Sequence, residues 1–100
     1  MTDALTITHD AAAQAFEAVV DGRTCEAAYR LAQDGHGHTV MLMTHTGVPR
    51  PLEGRGIAAQ LVAAAMAHAR GQGWKVRPLC SYVRTWLRRH PEHHDLLEQR

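Results

Sequence analysis

Three features of this 100-residue chain have residue types and spacing suited to chemistry: Cys80, His45 and the turn Glu53-Gly54-Arg55-Gly56-Ile57-Ala58. Cys80 directly precedes Ser81, a residue type that starts helices, and Arg77 lies close by. The positive end of a helix dipole and a nearby cation both favour the thiolate, which is the nucleophilic form of cysteine. His45 closes an apolar run, and its imidazole is the side-chain type that can take a proton from an incoming amine or from Cys80. In the turn, Gly54 and Gly56 carry no side chain to block an approaching group. If a helix begins there, the unpaired N–H groups of residues 55 to 59, including Ala59, meet the positive end of its dipole, an arrangement that binds phosphate or diphosphate. Arg84, Arg88 and Arg89 add guanidinium forks that match phosphate geometry, and Tyr82 adds a phenol that can donate a proton.

Other sites lack their spacing. The glycine turn is neither Gly-x-x-x-x-Gly-Lys-Ser/Thr nor the three-glycine dinucleotide fingerprint. His36-x-His38 and the group His90, His93, His94 match no zinc pattern, and Cys25 has no cysteine or histidine at finger spacing, so no metal is expected. A thiol hydrolase built on Cys80 and His45 needs a third, orienting group, for which Asp95 is the weak candidate.

The elements that must position these residues follow from alternation and turn chemistry. Ala15 to Val20, Thr24 to Leu31 and Thr39 to Thr44 read as three strands joined by the turns Asp21-Gly22 and Asp34-Gly35-His36-Gly37, an antiparallel meander. In the second strand Cys25, Ala27, Tyr29 and Leu31 share one face. Val48-Pro49-Arg50-Pro51 forbids both ladder and helix and makes a loop. Gly56 to Arg70 reads as an amphipathic helix with Ile57, Leu61, Val62, Ala65, Met66 and Ala69 in its stripe, stopped by Gly71-Gln72-Gly73. Trp74 to Cys80 is a strand that Pro78 confines to an edge or a broken ladder. Ser81 starts a short helix through His90, and Pro91 starts a last turn to about Leu97. Residues 1 to 8 and 98 to 100 are expected to fray.

Strand, helix, strand is a crossover unit, so the third and fourth strands are parallel and the connection is right-handed. The predicted fold class is α/β, a mixed sheet in which an antiparallel meander is followed by a parallel β-α-β crossover and C-terminal helices. In such a unit the carboxyl ends of the parallel strands and the amino end of the helix share one edge of the sheet. That topology gathers His45, the glycine turn and Cys80 from distant positions in the chain.

Length and composition bound the alternatives. One hundred residues with 45% hydrophobic positions make a single domain over 1–100. The longest run without a charge or turn former, Ile57 to Ala67, is too short to cross a bilayer, and the first residues begin no secretion signal, so a cytoplasmic protein with free thiols is expected. Net charge is +1, with three basic and six acidic side chains in the first half against eight and four in the second. That is too dispersed for a nucleic-acid surface but enough to hold a small polyanion in a shaped site.

Val48-Pro49, Glu53-Gly54-Arg55-Gly56-Ile57-Ala58 with Leu61-Val62 behind it, Pro78-Leu79-Cys80 and Arg89-His90-Pro91-Glu92 together resemble the short, single-domain branch of the GNAT acyltransferase superfamily. The resemblance spans roughly Ala15 to Leu97 and implies a minimal GNAT-like fold with acetyl-CoA as donor. The superfamily signature Gln/Arg-x-x-Gly-x-Gly/Ala falls on Glu53-x-x-Gly56-x-Ala58, so Glu stands at its first position. By this resemblance Gly54, Arg55, Gly56, Ile57, Ala58 and Ala59 cradle the pyrophosphate, and Val48 pairs with the pantetheine arm between the third and fourth strands. Tyr82, Arg84 and Arg88 flank the cofactor, and Cys80 lies near its sulfur, as transient acyl carrier or as the acid for the departing thiolate. The implied activity is N-acetyl transfer to an amine of a small molecule or protein, by a monomer or weak dimer. The alternative is a CoA-binding or interaction module with little or no transferase activity.

Overall fold

The computed structural model describes residues 5–98, and every structural statement below concerns those residues. Strand β1 (Thr8–Asp10) pairs with β2 (Ala15–Val20), β2 with β3 (Arg23–Gln33) and β3 with β4 (Thr39–Gly47), all antiparallel. A 3-10 turn over Arg50–Leu52 leads to helix α1 (Ile57–Gln72), and β5 (Lys75–Pro78) then pairs with β4 in parallel. Helix α2 (Ser81–Arg89) and a 3-10 segment (Pro91–Leu96) finish the chain. The sheet order is β1-β2-β3-β4-β5, a mixed five-stranded sheet with the parallel crossover at its β4-β5 end. The α/β fold with meander, crossover and C-terminal helices is therefore as the sequence predicts.

The turn residues do what their chemistry requires. Asp21 and Gly22 both take positive φ, 52° and 73°, the mirror-image turn whose twist matches a two-residue hairpin. In the β3-β4 hairpin, Asp34 Oδ1 accepts hydrogen bonds from the amides of His36 and His38, which closes that loop locally. Gly73 ends α1 in the left-handed conformation, its N–H bonded to the carbonyls of Ala69 and Arg70.

One contiguous core joins Phe16, Ala18, Cys25, Ala27, Tyr29, Met41 and Met43 of the sheet to Leu61, Val62, Met66 and Ala69 of α1. Val83, Trp86 and Leu87 of α2 and Leu96 belong to the same cluster. Fully burying each large apolar side chain contributes roughly 1.5–3 kcal/mol, so this cluster holds the strand tips and helix starts in fixed register.

Three details differ from the sequence reading. Residues 5 to 8 are not frayed: Leu5 and Ile7 pack on the core and Thr8 enters β1. Their alternation with threonine is the signal that was available in the sequence. At the other end Glu98 donates its amide to Val76, which docks the chain on β5. Residues 1–4 and 99–100 lie outside the described residues. Leu31, opposite Met41 in the register, is 41% exposed instead of buried with Tyr29.

Candidate active site

Two irregularities in β4 build the site. The first is where it parts from β5. Their ladder ends at Met43 and Pro78, and the Met43 carbonyl accepts hydrogen bonds from both Leu79 (3.0 Å) and Cys80 (2.9 Å). Proline has no N–H to extend the ladder, so Thr44–Gly47 runs on without a partner on that side. A wedge opens between the strand tips.

The second is a β-bulge. Tyr29 faces Met43 but Ala28 faces His45, which leaves Thr44 as the extra residue. The Thr44 hydroxyl donates to the Ala28 carbonyl at 3.3 Å across the irregularity. An extra residue reverses the alternation beyond it. Met41 and Met43 point into the core before the bulge. After it Thr46, opposite buried Ala27, takes that side, and His45, opposite Ala28, turns to the other face and is exposed.

Opposite the wedge lies the start of α1. Its cap residue Gly56 and the preceding Gly54 adopt φ of +78° and +80°, and a Cβ at either position would meet nothing within 4 Å. That left-handed backbone is cheap only for glycine, and the open space in front of it leaves the first-turn amides accessible. There is no acidic side chain in the first turn of α1. The groove holds about 390 Å³ and is lined by Thr46, Val48, Leu52, Glu53, Gly54, Gly56, Ile57, Ala58 and Tyr82. The residues present thus fit a diphosphate on backbone donors with an apolar arm beside it.

Of the residues predicted from sequence, Val48, Gly54, Gly56, Ile57, Ala58 and Tyr82 converge on this one groove. Glu53, exposed at its rim, sends its own amide to Arg50. The Arg55 side chain instead pairs with Asp21 at 3.0 Å, and Arg55 is not among the residues lining the groove. Ala59, in the first turn of α1, is half-buried against the core. Arg84 binds the Leu79 carbonyl at 2.8 Å and lines a separate groove with Val76, Arg77 and Leu97. Arg88 bonds the Thr85 hydroxyl in the last turn of α2 and is exposed, as is Arg89.

Cys80 is the N-cap residue of α2 and is half-buried. Its sulfur lies 3.6 Å from the Thr46 hydroxyl. Burial by itself would raise the thiol pKa, but the amides of Val83, Tyr82 and Thr46 together with the Thr46 hydroxyl outweigh it and bring the pKa below the ordinary cysteine value. The sulfur completes no capping hydrogen bond, so this is stabilisation by several donors at the helix start. Sequence reasoning had paired Cys80 with His45. The fold pairs it with Thr46, which reading an unbroken strand could not reveal.

The comparisons with known proteins agree with the fold. Residues 15–96 match the model of the GCN5-related N-acetyltransferase family. The chain belongs to that family. A GCN5-like protein from Staphylococcus aureus, determined by NMR in solution, superimposes with a TM-score of 0.72 at 24% identity, covering 96% of this chain and 90% of that one. That likeness shows the shared fold. No curated protein matches the sequence. Within this N-acetyltransferase family member, the matched segment contains the glycine turn, the bulged strand and Cys80. No helix among the described residues is long and apolar enough to cross a membrane.

Proposed function

We propose that this chain transfers the acetyl group of acetyl-CoA to an amine, with the diphosphate held at the start of α1 and Cys80 as the working thiol. The observation that carries the reading is the groove in which the left-handed Gly54 and Gly56 face the wedge between β4 and β5. Acetyl-CoA supplies an activated thioester. The free amides following Gly56 and the helix dipole hold negative charge there, Val48 and Ile57 give an apolar wall, and Tyr82 closes the side next to α2. Arg88 and Arg89, exposed in the last turn of α2, add positive charge to the helix that carries Tyr82 into the groove.

The Cys80 thiolate attacks the acetyl carbonyl carbon, the bond to the CoA sulfur breaks, and the free CoA thiolate takes up a proton. The incoming amine then attacks the acetyl-Cys80 thioester, forming the amide and returning the Cys80 thiolate. The ammonium proton leaves to solvent, since His45 stands on the opposite face of the same strand tip from Cys80. The acceptor is a small-molecule or protein amine, and a reducing, cytoplasmic setting keeps the thiol available.

Thermal-shift measurements with acetyl-CoA, CoA, ATP and NAD test the binding half. Stabilisation by the two CoA species alone supports it, and Gly56→Asp, which places a carboxylate against the cradle, is expected to abolish the shift. Intact-mass spectrometry after mixing with acetyl-CoA tests the thiol half: one acetyl group on Cys80, released by a primary amine. Binding without any adduct and without amine acetylation would mark a CoA-binding module and overturn the transfer mechanism.

A further inference from the structure

Thr46 entered the site only through the fold. The bulge at Thr44 moves it to the core side of β4, and the parting of β5 after Met43 leaves it with no β5 residue paired to it. Its hydroxyl lies 3.6 Å from the Cys80 sulfur, and the same residue lines the groove where the proposed cofactor lies. Cys80 itself is fixed by the hydrogen bond its N–H donates to the Met43 carbonyl and by its place at the start of α2. Two independently anchored backbones therefore hold donor and sulfur at contact distance.

We infer that Thr46 is the positioning residue of the thiol: its hydroxyl donates to the Cys80 sulfur, steers it toward the groove and holds it in the anionic form. The inference rests on the reading that Cys80 is the working thiol. A hydroxyl can donate to S⁻ but has a poorer partner in S–H, so the contact strengthens on ionisation. Titratable groups close enough to compete are few. Arg77, on the neighbouring strand, is committed to Glu98, and Arg84 to the Pro78 and Leu79 carbonyls.

The test uses ligand-free protein, so failure of acetyl-CoA to bind leaves its outcome intact. The pH profile of Cys80 alkylation by iodoacetamide is followed by peptide mass spectrometry, with circular dichroism confirming the fold. Thr46→Val and Thr46→Ala remove the hydroxyl, and whichever remains folded carries the test. The expected result is a profile midpoint moved to higher pH and a several-fold slower reaction at pH 7. Thr46→Ser, which keeps the hydroxyl and loses the methyl group, restores the wild-type profile. An unchanged midpoint in the hydroxyl-free variant overturns the inference. A Thr46→Ser profile matching that of the hydroxyl-free variant overturns it as well, because packing of the methyl group would then be responsible.

Discussion

Cys25 and Cys80 are chemically the same side chain in opposite settings. Cys25 sits near the start of β3, opposite Ala18, with no exposed surface. Burial raises its pKa, and the distant Arg55 guanidinium opposes this only in part. Cys80 also suffers burial, yet its pKa falls because amides at the start of α2 and the Thr46 hydroxyl face the sulfur. Burial pushes both thiols the same way. The number of unpaired donors nearby decides which thiol ionises more readily. A continuous ladder consumes its donors, as around Cys25, whereas a strand that parts from its neighbour leaves them for something else.

The comparison breaks first, and most visibly, in reactivity. Iodoacetamide at pH 7 is expected to label Cys80 faster than Cys25 by roughly two orders of magnitude or more, because Cys25 becomes accessible only through opening of the core. Peptide mapping over time reads this directly, and comparable labelling of both thiols in the folded protein would remove the contrast.

Stability sharpens the same comparison with the opposite ranking. Cys25→Ser puts a hydroxyl where nothing stands ready to bond it, and is expected to lower the unfolding free energy by about 1–3 kcal/mol in urea titration. Cys80→Ser, half-buried with Thr46 within reach, should cost no more than about 0.5 kcal/mol. Equal costs at the two sites would mean that their surroundings are not as different as the burial suggests.

The smallest effect concerns the sheet edge farthest from the thiol site. His9 stacks on Phe16 at 4.3 Å, shares a 2.6 Å hydrogen bond with Tyr29 and meets His68 of α1 edge-on at 4.3 Å. Burial and the neighbouring His68 lower its pKa from the ordinary 6.5, against a smaller opposing pull from Asp10. The folded state thus takes up this proton less readily than the unfolded chain. The neutral form's stabilisation is present above about pH 6.5 and is lost as pH falls toward the depressed folded value. Amide exchange in β1 and β2, corrected for intrinsic rates, should quicken modestly on acidification, and His9→Phe should remove that dependence. A His9→Phe protein with the same acid sensitivity would assign it elsewhere.

The architecture was legible because its signals are local. Asp21-Gly22 can adopt two successive positive φ angles, the prolines at 49, 51 and 78 interrupt ladders wherever they occur, and Gly73 stops α1. The glycine turn at the start of α1 was legible for the same reason. Strand β1 was missed because a three-residue strand owes its existence to the edge of β2 and to packing of Leu5 and Ile7 on the core. Arg55 and Arg84 illustrate another limit, since an arginine's partner depends on which loop the fold brings within reach: Asp21 for one, strand-end carbonyls for the other.

The order of residues by itself determined the α/β crossover, the glycine-led start of α1 and a cysteine at the foot of α2, because turn chemistry and hydrophobic period act over a few positions. Only the tertiary structure decided which side chain meets that cysteine. One unpaired residue, Thr44, reverses the alternation of β4, placing Thr46 on the sulfur and His45 on the opposite face. A bulge is a property of two strands pairing, so the residues of one strand do not reveal it.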